Sequence, residues 1–259
     1  MDDIYDFKFH TLQTSAFKLW IQGLSKYMNN CSLHINSKSI TINELLDDSI
    51  ILHNKLYAEN FEYYECNNHK SLFINLKELV LILKQASCSD ELTIYKYSTK
   101  QYWCIHLYNS DKTNDTYQIV YEVSNKIPPV IEPQLFDMSL NWSSNEYKNI
   151  IHKIKTTKSE SIYITIKEND ICIGAKGSRI NYETSILDDN YGLKESFSPI
   201  TYEIPYKYLS LLTHFTNLCN NMCIYLDSIS GKKMCAFKYD IASLGCVKLG
   251  VNLTIKNNQ

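Results

Sequence analysis

Phe17-Lys18-Leu19-Trp20-Ile21-Gln22-Gly23-Leu24 and Tyr147-Lys148-Asn149-Ile150-Ile151-His152-Lys153-Ile154 place large apolar side chains at the same four positions, 130 residues apart. Each stretch has the i, i+3, i+4, i+7 spacing of an amphipathic helix. The same offset brings Lys77, Leu79 and Leu81 onto Lys207, Leu209 and Leu211, and Leu92 and Ile94 onto Met222 and Ile224. Since 130 is half of the 259 residues, the chain reads as a tandem duplication of one module.

Working outward, both halves show one order of elements. A strand (residues 5–12; 134–140) leads into the helix (14–28; 143–156), and Ser143 with Glu146 forms a capping box. Short alternating strands follow at 32–34, 39–42, 49–57 and 61–66, and at 161–167, 171–175, 178–186 and 200–204. A second helix is expected at 76–86 and at 205–217, with Pro205 suited to a first helical position. Three strands close each half, at 91–97, 102–108 and 117–123, and at 222–228, 233–239 and 247–255. Between the halves, SNKIPPVIEP (124–133) has three Pro in ten residues and no alternation, so it reads as an extended connector. Its Ile127, Val130 and Ile131, with flanking Val123, either pack on the strands beneath or form one wall of a partner groove. The domains are therefore expected at 1–123 and 134–259.

Composition is that of a globular protein: 44% apolar and 21% charged, with seven Gly and five Pro. The longest aliphatic run, 79–83, is far short of the ~20 residues of a membrane helix, and MDDIYDFKFH carries no apolar signal region. Nine scattered Cys, an odd number, read as reduced intracellular thiols. The CxxxC at Cys219 and Cys223 and the CxxH at Cys66 and His69 lack a second pair at ligand spacing, so no metal or other cofactor is expected.

Charge is segregated. The four helical segments carry a net +6 in a chain of net −2, which leaves −8 for the rest. Of 26 basic residues only Arg179 is arginine. Arginine forks read guanine edges, whereas lysine is a mobile point charge. The pattern fits a sequence-blind surface facing a polyanion. No GxxxxGK, GxGxxG or HExxH occurs, and Gly174-Ala175-Lys176-Gly177-Ser178 is placed at a strand turn with no helix after it. The chain is not expected to be an enzyme.

Two stretches carry a family resemblance. Lys238-Tyr239-Asp240-Ile241-Ala242-Ser243-Leu244-Gly245 resembles the EYKIADMG segment of the proliferating cell nuclear antigen (PCNA) sliding clamps. Asn60-Phe61-Glu62-Tyr63-Tyr64-Glu65-Cys66, followed by Asn75-Leu76 and Ile82-Leu83-Lys84, resembles the family's GFDTYRC…NL…ILK region. The resemblance covers nearly the whole chain. It implies the α+β DNA clamp fold: two similar domains, each with two helices packed on antiparallel sheets, related by a pseudo-twofold repeat. It also implies a homotrimeric ring that encircles double-stranded DNA without sequence preference. Such a ring tethers DNA polymerase and other peptide-motif partners, and a clamp loader opens it.

By family position, the DNA-facing residues are Lys18, Lys26, Lys77, Lys84, Lys148, Asn149, His152, Lys153, Lys207 and His214. The partner groove is Leu45, Val123, Ile127, Pro129, Val130, Ile131, Met234, Val251, Asn252 and Leu253, reaching to Thr254. The subunit edges are Tyr117, Ile119 and Val120 on one chain and Arg179, Ile180 and Tyr182 on the next. The family's MDSSH, RCDR and LAPKI segments read LLDDS (45–49), ECNN (65–68) and VNLTI (251–255) here. Alternatives are a subunit of a hetero-ring checkpoint clamp and a viral processivity factor acting as monomer or dimer. Divergence and residue usage resemble clamps of large DNA viruses or fast-evolving eukaryotes, which implies a nuclear site or a cytoplasmic viral replication site.

Overall fold

A computed structural model describes residues 4–109, 114–124, 127–131, 134–167, 170–186, 199–227, 233–253 and 255–256. The first half runs β1 (Tyr5–Thr11), α1 (Thr14–Tyr27), β2 (Asn30–Asn36), β3 (Ser39–Asp47), β4 (Ile50–Tyr57), β5 (Tyr63–Cys66), β6 (Lys70–Asn75), α2 (Leu76–Leu83), β7 (Glu91–Tyr97), β8 (Tyr102–Tyr108), β9 (Asp115–Val120) and β10 (Glu122–Val123). After β11 (Val130–Ile131), the second half runs β12 (Met138–Ser143), α3 (Ser144–Lys155), β13 (Ser161–Ile166), β14 (Ile171–Lys176), β15 (Asn181–Ile186), β16 (Ile200–Pro205), α4 (Tyr206–Leu212), β17 (Asn221–Leu226), β18 (Cys235–Ile241), β19 (Gly245–Val251) and β20 (Ile255–Lys256). The architecture is α+β, with every strand pair antiparallel.

The repeat is visible in the sheets. The order β1-β7-β8-β9 recurs as β12-β17-β18-β19, and β6-β2-β3-β4 recurs as β16-β13-β14-β15. Helix counterparts keep the 130 spacing, but the strand registers absorb small insertions. Ile105 and Tyr117 sit where Phe237 and Leu249 sit in the second half, two residues further along than the helices predict. The halves join where β4 pairs with β19, from Leu56↔Gly245 to Ile50↔Val251. That seam merges strands of both halves into one nine-stranded sheet, β10-β6-β2-β3-β4-β19-β18-β17-β12. One buried apolar core crosses it, including Trp20, Leu24 and Ile42 from one half and Phe215, Phe237 and Val247 from the other.

Several expected elements differ. Strand β6 falls outside the expected strands: Lys70-Ser-Leu-Phe-Ile-Asn75 alternates weakly and becomes a strand because β2 and β10 flank it. The connector is not wholly without strand, since Val130 and Ile131 pair with Lys256 and Ile255. Pro205 ends β16 and stands before α4 rather than inside it. The fourth helix stops at Leu212 and tightens into a 3-10 turn, Thr213–Phe215. Gly174 lies inside β14, where a Cβ would come 2.8 Å from the Tyr182 carbonyl oxygen. Ser143 does cap α3, its Oγ accepting the Glu146 N–H at 3.5 Å. All nine cysteines are free thiols, and no helix among the described residues is long and apolar enough to cross a membrane.

Candidate functional site

The amphipathic spacing that makes α1 a helix buries Phe17, Trp20, Ile21 and Leu24. The corresponding residues of α3 bury Tyr147, Ile150, Ile151 and Ile154. The opposite faces are left to polar side chains. The four helices form one contiguous set: α1 touches α2, α4 and the turn Thr213–Phe215, and α3 closes against that turn. The layer rests on the nine-stranded sheet through contacts of α1 with β18, α2 with β2 and α3 with β12. Gly23 permits the close crossing at its centre, because a Cβ there would sit 2.2 Å from Cε1 of Phe215. Tyr27 stacks on the same ring at 5.7 Å.

The ten residues assigned to DNA all lie on this layer or at its helix ends. Lys26, Lys77, Lys84, Lys148, Asn149, His152, Lys153, Lys207 and His214 are exposed. Three of them, from three elements, are brought together: partial burial and the ammonium groups of Lys26 and Lys148 hold the His214 imidazole below its ordinary pKa. Lys207 lies over the Tyr208 ring at 4.5 Å. Lys18 differs from the other nine in its surroundings. It is half-buried, and its Nζ donates to the carbonyl oxygens of Ala86 (2.8 Å) and Lys84 (3.4 Å), so it binds the C-terminal end of α2, where the helix dipole favours a cation. Lys155, exposed on the same helix as Lys153, was not among the assigned residues.

A second feature lies on the sheet's other face. The connector and the chain end roof a cavity of about 670 Å³ lined by Asn43, His53, Pro128, Pro129, Ile131, Gln134, Phe136, Tyr225, Lys248 and Leu253. Of the residues assigned to the groove, Pro129, Ile131 and Leu253 line it. Met234 and Val251 are buried; Met234 packs with Ile51 and Leu253. Leu45, Val123 and Ile127 are exposed outside it, and Asn252, with φ 55°, lines with Val251 a separate cavity beside Tyr163, Tyr202 and Lys233. Val130 contributes backbone pairing to Lys256. Thr254 lies outside the described residues.

Of the remaining lining residues, Asn43, His53, Tyr225 and Lys248 come from β3, β4, β17 and β19, where strand alternation on one face of the sheet, once its order is known, would have found them, and Pro128, Gln134 and Phe136 come from the segments on either side of β11. Asn43 ties roof to floor: its Oδ1 pairs with His53 Nδ1 at 2.6 Å, and its Nδ2 donates to the Pro129 carbonyl at 3.3 Å. His53 is driven down to about 4 by burial, then by Lys248 and Lys55.

The residues assigned to subunit edges also divide by place. Tyr117, Ile119 and Val120 lie on β9, the outer strand of the five-stranded sheet β5-β1-β7-β8-β9. Tyr182 lies on β15, the outer strand of the four-stranded sheet β15-β14-β13-β16, with Arg179 and Ile180 in the turn before it. Val120 is 79% and Ile180 53% exposed. These strands are the counterparts of β19 and β4, which pair at the internal seam. The arrangement offers a charged helix layer, an apolar groove and two sheet edges that have no strand partner among the described residues. Residues 6–127 match the family model described as proliferating cell nuclear antigen, N-terminal domain.

Proposed function

The chain belongs to the proliferating cell nuclear antigen family of clamps, and from that premise we propose that it is a DNA sliding clamp, a scaffold rather than an enzyme. Three copies form a ring around duplex DNA and tether polymerase and other replication proteins through peptides docked in the groove under residues 127–131. The observation that carries the reading is the internal seam. Strand β4 pairs with β19, while their counterparts β15 and β9 each have one edge without a strand partner among the described residues. Exposed edges of this kind favour pairing with another chain. Repeating the seam between copies sets Tyr117 opposite Tyr182 and Ile119 opposite Ile180 of the neighbouring copy. A head-to-tail contact of this type gives a ring when its rotation closes, as the reading requires after three copies, and it continues the helix layer around the inside.

Lys26, Lys77, Lys84, Lys148, Lys153 and Lys207 then face the phosphates without reading bases. The working site is a nuclear or cytoplasmic viral replication compartment. Light scattering is expected to give three times the 30.2 kDa chain mass. The protein loaded on circular DNA is expected to stay bound and to leave when the circle is cut. Replacing Lys77, Lys84, Lys148, Lys153 and Lys207 with Ala should weaken that retention without loss of fold. A monomer at micromolar concentration, or equal retention on linear and circular DNA, would reject the ring.

A further inference from the structure

The groove has a charge pattern that its apolar walls do not require. Lys238, Lys248 and His53 stand directly opposite one another on β18, β19 and β4, and Lys55 shares the outer face of β4. Like charges directly opposite on neighbouring strands are unfavourable. Lys238 is neutralised by Asp240 at 2.9 Å. Lys248 instead holds its ammonium over the Tyr225 ring, 5.7 Å from the centroid, at the cavity wall. Among the described residues, no carboxylate lines the cavity. Burial, and after it the ammonium groups of Lys248 and Lys55, hold the His53 imidazole below its ordinary pKa.

We propose that this groove selects an extended peptide presenting a carboxylate side chain beside its apolar anchor, with Lys248 as the residue that sets the preference. The inference rests on the reading of the groove as a docking surface. The apolar anchor follows from Pro128, Pro129, Ile131, Phe136 and Leu253 in the walls. An extended backbone follows from the two-stranded ribbon β11-β20, whose outer edges have no strand partner among the described residues and can take a further strand. The carboxylate pairs with the Lys248 ammonium, which meets no carboxylate among the described lining residues, and a charge pair in a partly enclosed site is stronger than on open surface. A nucleic acid strand supplies the charge without the apolar anchor.

The test uses two fluorescein-labelled peptides of the form Gln-x-x-aliphatic-x-x-aromatic-aromatic, one of them with Glu in place of the Gln. Affinity is read by anisotropy at low and high salt, and docking by hydrogen exchange at residues 127–131. The Glu peptide is expected to bind about tenfold more tightly at low salt, with a smaller advantage at high salt. Lys248→Met should abolish the advantage and Lys248→Arg should keep it. Equal or tighter binding of the Gln peptide, a preference that survives Lys248→Met, or displacement of the Glu peptide by a single-stranded oligonucleotide would overturn the proposal while leaving the docking surface in place. Failure of both peptides to protect 127–131 would remove the docking surface itself and this inference with it.

Discussion

Asn54 is wholly buried in β4 at the seam, and it is satisfied on both sides: Oδ1 accepts the Trp20 indole N–H at 3.0 Å, and Nδ2 donates to the Ile42 carbonyl at 3.3 Å. Asn54→Ala orphans the indole and the carbonyl together, and urea unfolding should register a loss of about 1–3 kcal/mol. His53, one residue earlier, points to the outer face. Its folded pKa of about 4 lies below the ordinary 6.5, so the unfolded chain binds the proton first. The stability it contributes is whole above pH 6.5 and is lost as pH falls toward 4. The urea midpoint should drop across that interval, and His53→Gln should flatten the slope; an unchanged slope would reject the assignment. Neither role was legible from residue identity, because a lone Asn or His in an alternating strand says nothing of what lies across the sheet.

At the scale of elements, the helices were the most legible part. Apolar spacing located all four within a few residues, and the ends differed where local geometry intervened, as at the 3-10 turn after Leu212. The strands were recognised in the main, but β6 and the β11–β20 ribbon depend on neighbours distant in sequence. Lys18 shows why charge on a helix does not by itself place that charge against a ligand. Its ammonium completes the α2 C-terminus, so Lys18→Met should cost about 0.5–1 kcal/mol of stability. The salt dependence of DNA association should be left almost unaltered. For an exposed lysine such as Lys77 the reverse is expected: little change in stability, and a salt slope reduced by about 0.9 for each phosphate no longer neutralised.

For the whole molecule, the proposed ring takes the seam inside one chain as the template for the seams between chains, yet the two are not equivalent. Inside the chain, Gly23 lets Phe215 lock α1 to the turn after α4. At the 130-residue spacing, the same positions between copies are Lys153 and Gln85. In the proposed ring the contact between copies therefore leans on strand pairing. Ile180→Glu, which sets a charge opposite Ile119 of the neighbour, should convert the trimer to monomers by light scattering while far-UV circular dichroism stays the same. A trimer that survives it would refute the proposed register.

Duplication, helix positions, the α+β class and the placing of lysines on helices were all readable in the chain as a string, because apolar period and charge are local properties. The four helices sharing one layer, the groove floor of His53, Tyr225 and Lys248, and the diversion of Lys18 to a helix end belonged to the folded molecule alone. Each depends on which strands lie side by side, and that is settled by the packing of one common core rather than by any segment's own preference.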